Sequence, residues 1–143
     1  MGIELGVNAE EIAEAEKLLQ TKFPDQLKKI WQVSNGLELP GEWRLFPIFD
    51  KKNPKKSWGH IVEENTNGRW EYCPKDLIAI ASDGSGDNLV LRTENGNVLE
   101  TIYRWDHETN KISPSKQKLS DILALAKKRV EKIKKQIEKN VKK

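Results

Sequence analysis

The stretch from Asp76 to Arg92 constrains the fold more than any other part of the chain, because two apolar runs flank a short polar turn. Residues 77–81, Leu-Ile-Ala-Ile-Ala, lead into Asp-Gly-Ser-Gly-Asp at 83–87, and residues 89–91, Leu-Val-Leu, lead out. This pattern predicts a strand, a tight turn and a second strand. Gly84 and Gly86 permit positive φ, and the aspartates can bond the amides of the turn itself, so the turn has a local structural explanation.

A third apolar run, residues 98–105, follows the sequence Glu-Asn-Gly-Asn at 94–97. Asn-Gly between two such runs is the strongest short-range signal for a β-hairpin. Three consecutive short strands predict an antiparallel meander, onto which the other elements must pack. At 143 residues the chain is long enough to form one domain around a single core.

Helices are predicted before the meander. Asn8, followed three residues later by Glu11, has the spacing of a capping box, and apolar residues then recur at helical intervals over residues 9–20. A second helix is predicted to begin at residues 23–25, Phe-Pro-Asp, because proline is preorganised for a first helical turn. Asn-Gly at 35–36 is expected to end it, with glycine in the left-handed cap.

The segment between the second helix and the meander gives weaker signals. Residues 43–49 predict a half-buried edge strand, because Pro47 cannot donate to a ladder and so argues against a central position. Ser57 is a candidate N-cap for a short helix that carries Trp58 and closes at Asn-Gly, residues 67–68.

A final helix is predicted to begin near Leu119, where apolar residues follow a 4-3-4-3-4 spacing as far as Ile137. The apolar stripe is wide in the first half of this helix and narrow in the second. We therefore expect the first half to dock on the body of the protein and the second half to project from it.

Charge is distributed unevenly along the chain. Residues 116–143 contain 11 of the 25 basic and 3 of the 22 acidic residues, a net charge of +8, which leaves −5 for the rest. An argument for nucleic acid from the pI of 8.9 rests on this tail alone. The tail has three interpretations: a solvated helix, a nonspecific phosphate-binding element, or a helix whose apolar seam pairs in a dimer. We expect a monomer or a weak homodimer.

The sequence favours a cytoplasmic protein. Cys73 is the single cysteine, so an intrachain disulfide is impossible and a reducing compartment is favoured. The first residues lack the basic and apolar regions of a secretion signal. No apolar run approaches the roughly 20 residues that a membrane helix needs, so no membrane partner is expected.

Two groups of residues resemble metal or catalytic sites. Positions 1, 3, 5 and 12 of a calcium loop match Asp83, Ser85, Asp87 and Glu94, but position 6 requires glycine and is Asn88. His107 stands between Asp106 and Glu108, yet neighbours in an extended chain point to opposite faces and do not easily converge. Cys73 has no obvious partner and is expected to be a buried or inert thiol. We predict no catalytic residue, no metal and no cofactor.

Aromatic and acidic residues are the candidates for binding a protein partner. Trp31 and Trp105 fit core positions, whereas Trp43, Trp58 and Trp70 stand in less regular stretches where an exposed anchor is an alternative to the core. The acidic candidates lie in turns or near strand ends: Glu63, Glu64, Asp83, Asp87, Asp106 and Glu108. If they share a face, they form a negative patch that meets a basic partner; the alternative is an ordinary solvated surface.

Three segments in order resemble one family. Residues 23–36, FPDQLKKIWQVSNG, resemble the helix near the start of SUKH superfamily proteins, a group that includes yeast cell-wall synthesis regulators and many bacterial immunity proteins. Residues 80–87, IASDGSGD, are similar to its glycine- and aspartate-rich turn, and Val98 followed by WDHE at 105–108 is similar to its next strand. Two departures are Phe23 in place of the usual leucine and the basic extension after about Lys127.

The resemblance implies an α+β fold. We expect a single domain in which a mostly antiparallel, twisted sheet of about four to six strands packs against N-terminal and C-terminal helices. A SUKH-like domain is predicted over residues 1–126 and a basic helical extension over residues 127–143.

The resemblance also implies a non-enzymatic role. Bacterial members are typically immunity proteins, or antitoxins, which bind and block a cognate polymorphic toxin that is often a nuclease. A second hypothesis is a nucleic-acid-associated or regulatory protein that binds through its lysine-rich C-terminal helix, although a nucleic acid partner is less favoured. A third is a small hydrolase or a metal-binding enzyme. If the turn at 83–87 faces the partner, reversing Asp83 and Asp87 to lysine should slow association.

Overall fold

A computed structural model describes residues 6–52, 54–55, 57–71 and 73–141, with side chains described up to Gln136. In chain order the elements are α1 Ala9–Leu19, α2 Asp25–Val33, β1 Glu38–Leu39, β2 Trp43–Leu45, α3 Ile61–Glu64, β3 Leu77–Ser82, β4 Asn88–Glu94, β5 Asn97–Trp105, β6 Ile112–Pro114 and α4 Leu119–Val141. The strands form one six-stranded sheet in the order β1-β2-β3-β4-β5-β6, with every neighbouring pair antiparallel. The predicted α+β single domain is confirmed.

The predicted meander is formed by β3, β4 and β5. Its second turn has positive φ at both central residues, 52° at Asn95 and 79° at Gly96, which is the backbone that the Asn-Gly pair favours in a two-residue hairpin. The first five residues of β3, Leu77 to Ala81, are all buried, so both faces of this strand are covered. The centre of the sheet therefore carries a large part of the core.

The N-terminal helices follow the sequence closely at their starts. The side chain of Asn8 accepts a hydrogen bond from the backbone N–H of Glu11 at 3.0 Å, which confirms it as the N-cap of α1. The end of α2 differs from the prediction, because the helix stops at an extended Ser34, ahead of Asn35 and Gly36. The Asn35 amide instead bonds both the backbone N–H and the C=O of Ile48, at 2.8 and 2.9 Å. This side chain ties the end of α2 to the chain that follows β2.

The segment between α2 and β3 differs most from the prediction. The strand predicted over 43–49 is only Trp43–Leu45, and it is not an edge strand, because β1 pairs with its other side. Pro47 lies after the strand, so its missing N–H does not disturb the ladder. The short helix begins at Ile61, with His60 rather than Ser57 as the N-cap, and Trp58 lies outside it. β6, a three-residue strand, was not predicted.

The two tryptophans predicted for the core are fully buried. Trp31 donates its indole N–H to the carbonyl oxygen of Phe46 at 2.9 Å, and Trp105 donates to the side-chain oxygen of Asn110 at 2.6 Å. A buried indole needs such an acceptor, because an unpaired polar group in a core is costly.

The final helix docks through its first half, as predicted. Leu119, Ile122 and Ala126 are buried, and α4 packs against α2 and β5. The basic side chains that follow are exposed: Lys127, Lys128, Arg129, Lys132, Lys134 and Lys135. The predicted seam residue Ile137 lies outside the described side chains. Since α4 runs unbroken through residues 126 and 127, the boundary between domain and extension stays a prediction.

Candidate functional site

The turn between β3 and β4 is closed by its own side chains. Asp83 accepts hydrogen bonds from the backbone N–H and the hydroxyl of Ser85, at 2.9 and 2.7 Å. Gly84 and Gly86 both have positive φ, 86° and 116°. A Cβ on Gly86 would lie 2.9 Å from three atoms of the His107 ring, so this glycine lets the ring pack directly on the turn.

Asp87 is the centre of an ion-pair network beneath that turn. Only 7% of the residue is exposed, and its two carboxylate oxygens are held separately. Arg104 donates to one oxygen at 2.7 Å, while the ring Nδ1 and the backbone N–H of His107 lie 2.7 and 3.2 Å from the other. Burial alone would raise the pKa of Asp87, but the hydrogen bonds from Arg104 and His107 outweigh it and lower the pKa. The bond to Asp87 in turn raises the pKa of His107.

The acidic neighbours of His107 partly converge, contrary to the sequence prediction. The chain turns at residues 107–109 instead of continuing as a strand, because Asp106 accepts from the backbone N–H groups of Glu108 and Thr109. Ligand atoms of Asp87, Asp106 and His107 consequently lie within 4.8 Å of one another. A dication there would lie beside the Arg104 guanidinium, and like-charge repulsion opposes that placement.

Aromatic rings flank this network on two sides. Trp70, which is 41% exposed, stacks on His107 with ring centroids 5.2 Å apart and planes at 26°. Arg104 lies over the ring of Trp43 at 5.4 Å, a cation–π contact. Trp43 is only 7% exposed, so this predicted partner contact lies in the core, whereas Trp58 is 81% exposed. Burial likewise puts Asp87 out of a partner's direct reach.

Two adjoining hollows lie beside the turn, with volumes of about 260 and 440 Å³. Glu64, Ser82 and Gly84 line both of them. Trp70 borders the smaller hollow and Trp58 the larger. We call this joined pair of hollows the Trp58–Trp70 groove. Among the described residues, the charged side chains that line it are Glu42, Arg44, Glu64, Arg69 and Asp83.

Glu64 stands between two glycines in the wall of this groove. A Cβ on Gly59 would lie 3.6 Å from one carboxylate oxygen, and a Cβ on Gly68 would lie 3.2 Å from the other. Burial, followed by repulsion from Glu63, raises the pKa of Glu64, while Arg44 opposes the shift. Within the described residues the Glu64 carboxylate takes part in no hydrogen bond and in no ion pair shorter than 4.0 Å.

Two residues that the sequence analysis did not single out hold this wall in place. The amide of Asn65 bonds both the N–H and the C=O of Ala79 at 2.8 Å, and Arg69 donates to the carbonyl oxygens of Leu77 and Pro74. These bonds satisfy β3 where β2 no longer pairs with it. Asn65 and Arg69 stand in a short polar stretch, which carries no sequence signal for the strand they face.

The exposed or partly exposed residues predicted to bind a partner fall into two groups, one at the groove and one around His107. Trp58, Glu64, Trp70 and Asp83 line the Trp58–Trp70 groove, and Glu63 is exposed on α3 next to Glu64. Asp106 and Glu108 lie beyond Trp70, around His107; Glu108 is exposed and 3.9 Å from the His107 ring. Their role in binding a partner stays a prediction. Cys73 borders the smaller hollow, is buried as expected, and has a pKa raised by that burial.

A separate hollow of about 490 Å³, outside the Trp58–Trp70 groove, lies between α1, residues 49–52 and α3. Its apolar side chains include Leu18 and Phe49, which are exposed, and Glu10, Glu11 and Glu14 line it as well. No residue predicted to bind a partner lines this hollow.

The chain matches the SMI1 / KNR4 family (SUKH-1) over residues 6–124, which include α1, the whole sheet and the start of α4. It therefore belongs to this family, as the three sequence segments indicated. A comparison with curated proteins finds no match. Among the residues that the structure describes, no helix combines the length and the apolar character needed to cross a bilayer.

Proposed function

We propose that this protein is a non-enzymatic immunity protein that binds and neutralises a cognate polymorphic toxin of the nuclease class in the cytoplasm. The observation that carries the proposal is the Trp58–Trp70 groove in a member of the SUKH-1 family. Four of the residues predicted from sequence to contact a partner line it. An exposed tryptophan beside an acidic surface is typical of a protein interface, since tryptophan is enriched at hot spots.

The ionisable groups of the site support a preformed surface. Asp87 and His107 are bonded to each other, and Arg104 holds the remaining oxygen of Asp87. These groups fix the turn and the start of the segment after β5, which is what a preformed binding surface requires.

Neutralisation by such a surface needs no chemistry of its own. The protein covers the active site of the toxin, and its acidic side chains attract a target that is basic because it binds nucleic acid. Glu63, Glu64 and Asp83 are the charges that we assign to this steering.

The test is co-expression with the toxin encoded by the neighbouring gene, followed by purification of the complex and an assay of the toxin. We expect a stable complex and loss of toxin activity. Lysine substitutions at Glu63 and Asp83 should slow association about tenfold or more at low salt, with a smaller effect at high salt. Asp87 is not a suitable position for this test, because its reversal would place a lysine inside the ion-pair network.

The matched control is lysine at Glu10 and Glu14 of α1. This pair of substitutions changes the net charge equally, but the two residues line the separate hollow beside α1. If both pairs of substitutions slow association equally, net charge explains the effect and the position of the acidic residues does not. An active toxin in the presence of the folded wild-type protein would contradict the proposal.

The exposed basic side chains of α4 favour a second candidate, a nucleic-acid-associated protein. Phosphate binding by this helix would fall steeply with salt. Truncation after Arg129 keeps the buried Ala126 and the bond from Arg129 to the Glu38 carbonyl oxygen. If the truncated protein loses salt-sensitive DNA or RNA binding and still neutralises the toxin, the removed residues 130–143 have a function separate from the domain.

A further inference from the structure

Glu64 differs from the other carboxylates that meet at this end of the sheet. Asp83 bonds Ser85 and lies 3.9 Å from Arg104, and Asp87 is fully paired. The Glu64 carboxylate lies in the wall of the Trp58–Trp70 groove, where partial burial disfavours its charged form. A desolvated carboxylate without a partner gains most from a cation that arrives with hydrogen-bond donors.

The surroundings of Glu64 select the kind of cation. Gly59 and Gly68 lie beside the two carboxylate oxygens and carry no side chain that would crowd them. Trp58 borders the groove on one side of Glu64 and Trp70 on the other. An aromatic face attracts a cation, and a planar guanidinium both stacks on such a face and donates two parallel hydrogen bonds to one carboxylate.

We infer that the Trp58–Trp70 groove is a subsite for one arginine side chain of the protein partner, with Glu64 as the residue that binds its guanidinium. This inference rests on the proposed function for the identity of the partner as a protein. The charged side chains that line the groove are Glu42, Glu64 and Asp83 with Arg44 and Arg69, a net charge of −1 among the described residues, which suits a single cation.

Lysine fits this site less well than arginine. Its ammonium is a compact, strongly hydrated charge that cannot make the paired contact or stack as a plane. Citrulline has the shape of arginine without the charge, so it separates electrostatic recognition from packing. Lysine therefore tests the planar geometry of the cation, and citrulline tests its charge.

The experiment titrates the labelled full-length protein with the peptide acetyl-Gly-Gly-Arg-Gly-Gly-amide and follows the indole N–H resonances of its five tryptophans by NMR. We expect saturable shifts at Trp58 and Trp70, with a dissociation constant of about 1 to 10 mM, as befits a single side chain. The fully buried Trp31 and Trp105 should shift much less. The lysine peptide should bind several-fold more weakly, and the citrulline peptide should not saturate.

Two variants test the role of Glu64. Glu64→Gln keeps the shape and removes the charge, and it should weaken the arginine peptide at least about tenfold. Gly68→Ala keeps the charge and places a methyl group 3.2 Å from a carboxylate oxygen, so it should weaken binding several-fold. Glu10→Gln on α1 is the control and should bind as the wild type does. Thermal unfolding confirms that each variant is folded.

Absence of saturable shifts, equal binding of the lysine and arginine peptides, or unchanged affinity in Glu64→Gln would overturn the inference. The toxin assay distinguishes this failure from failure of the proposed function. A toxin neutralised equally by the wild type and Glu64→Gln leaves the immunity role and removes the arginine subsite. A folded protein that binds the arginine peptide through Glu64 but inhibits no toxin keeps the subsite and removes the immunity role.

Discussion

Asp87 and Glu64 are two acidic residues at the same end of the sheet, and the structure treats them in opposite ways. From sequence, both were candidates for one negative patch, with an ordinary solvated surface as the alternative. Asp87 is buried with a cation and an imidazole on its two oxygens, and its pKa is lowered. Glu64 is partly buried without a paired cation, and its pKa is raised. Burial acts against the charge of both, so the difference comes from the groups around them.

This difference separates a structural carboxylate from one available to a partner. The Asp87 network lowers the free energy of the folded state, since its charge is satisfied within the chain. The ionised Glu64 retains an electrostatic cost that a bound cation would relieve. Substitutions at the two positions should therefore change stability with opposite signs.

The largest effect is expected from Asp87→Asn, which breaks the network. Asparagine has no charge and only one acceptor oxygen, so it cannot accept from both Arg104 and His107. We expect a loss of about 3 kcal/mol in the free energy of unfolding. Urea unfolding at pH 7 measures it. The double variant with Arg104→Met should lose less than the sum of the two single variants, and strict additivity would mean that the pair is not coupled.

The two glycines of the β3–β4 turn test how His107 constrains the backbone of that turn. Gly86→Ala would meet the His107 ring at 2.9 Å and hold alanine at a φ of 116°, so a loss of about 2 kcal/mol is expected. Gly84→Ala is the control: its Cβ meets nothing within 4 Å, and only the positive φ opposes it, at about 1 kcal/mol. Equal losses would show that His107 does not constrain the turn. Thermal unfolding of the two variants decides between these outcomes.

The pairing of Asp87 with His107 also predicts a pH dependence. The pKa of folded His107 is raised above 6.5, so its contribution to stability is complete below about pH 6.5 and is lost as the pH rises through the folded pKa. The pKa of folded Asp87 is lowered below 3.8, so its contribution is lost as the pH falls through that lower value. The contribution of the pair should therefore be greatest between about pH 4 and pH 6.5.

His107→Gln should flatten the alkaline side of this profile. The difference between wild type and variant is the quantity to measure, because burial lowers the pKa of His60, which contributes with the opposite sign. Denaturant unfolding from pH 5 to 9 gives both curves. Parallel curves would contradict the raised pKa of His107.

The smallest effect is expected at Glu64. Its raised pKa means that ionisation costs stability as the pH rises above about 4.5, so Glu64→Gln should stabilise the free protein slightly at pH 7, by about 0.5 kcal/mol or less. Measured beside Asp87→Asn by the same method, it should have the opposite sign. A clear loss of stability would show that Glu64 has a partner within the chain.

Local sequence signals predicted the regular elements well. Asn8 marks the start of α1, Asn95-Gly96 marks the second turn of the meander, and the apolar spacing after Leu119 marks the docked half of α4. Each of these signals acts between residues close in the chain. The segment from β2 to α3 was predicted poorly, because long-range bonds such as Asn35 to Ile48 and Asn65 to Ala79 determine its shape.

The site shows the same limit. The sequence predicted which acidic and aromatic residues were candidates, but it could not separate the buried Asp87 and Trp43 from Glu64 and Trp58. Arg104 and His107, which decide the state of Asp87, stand 17 and 20 residues further along the chain and were not assigned to it. Antiparallel pairing of β4 with β5 brings Arg104 beside the turn.

The sequence by itself determined the meander, its hairpin turn, the starts of α1, α2 and α4 and the membership in a family. The tertiary structure alone decided which carboxylate is paired and which faces the groove. Hydrogen-bonding and apolar patterns act over a few residues, whereas the charge state of an acid depends on every group within a few ångströms, whatever its distance along the chain.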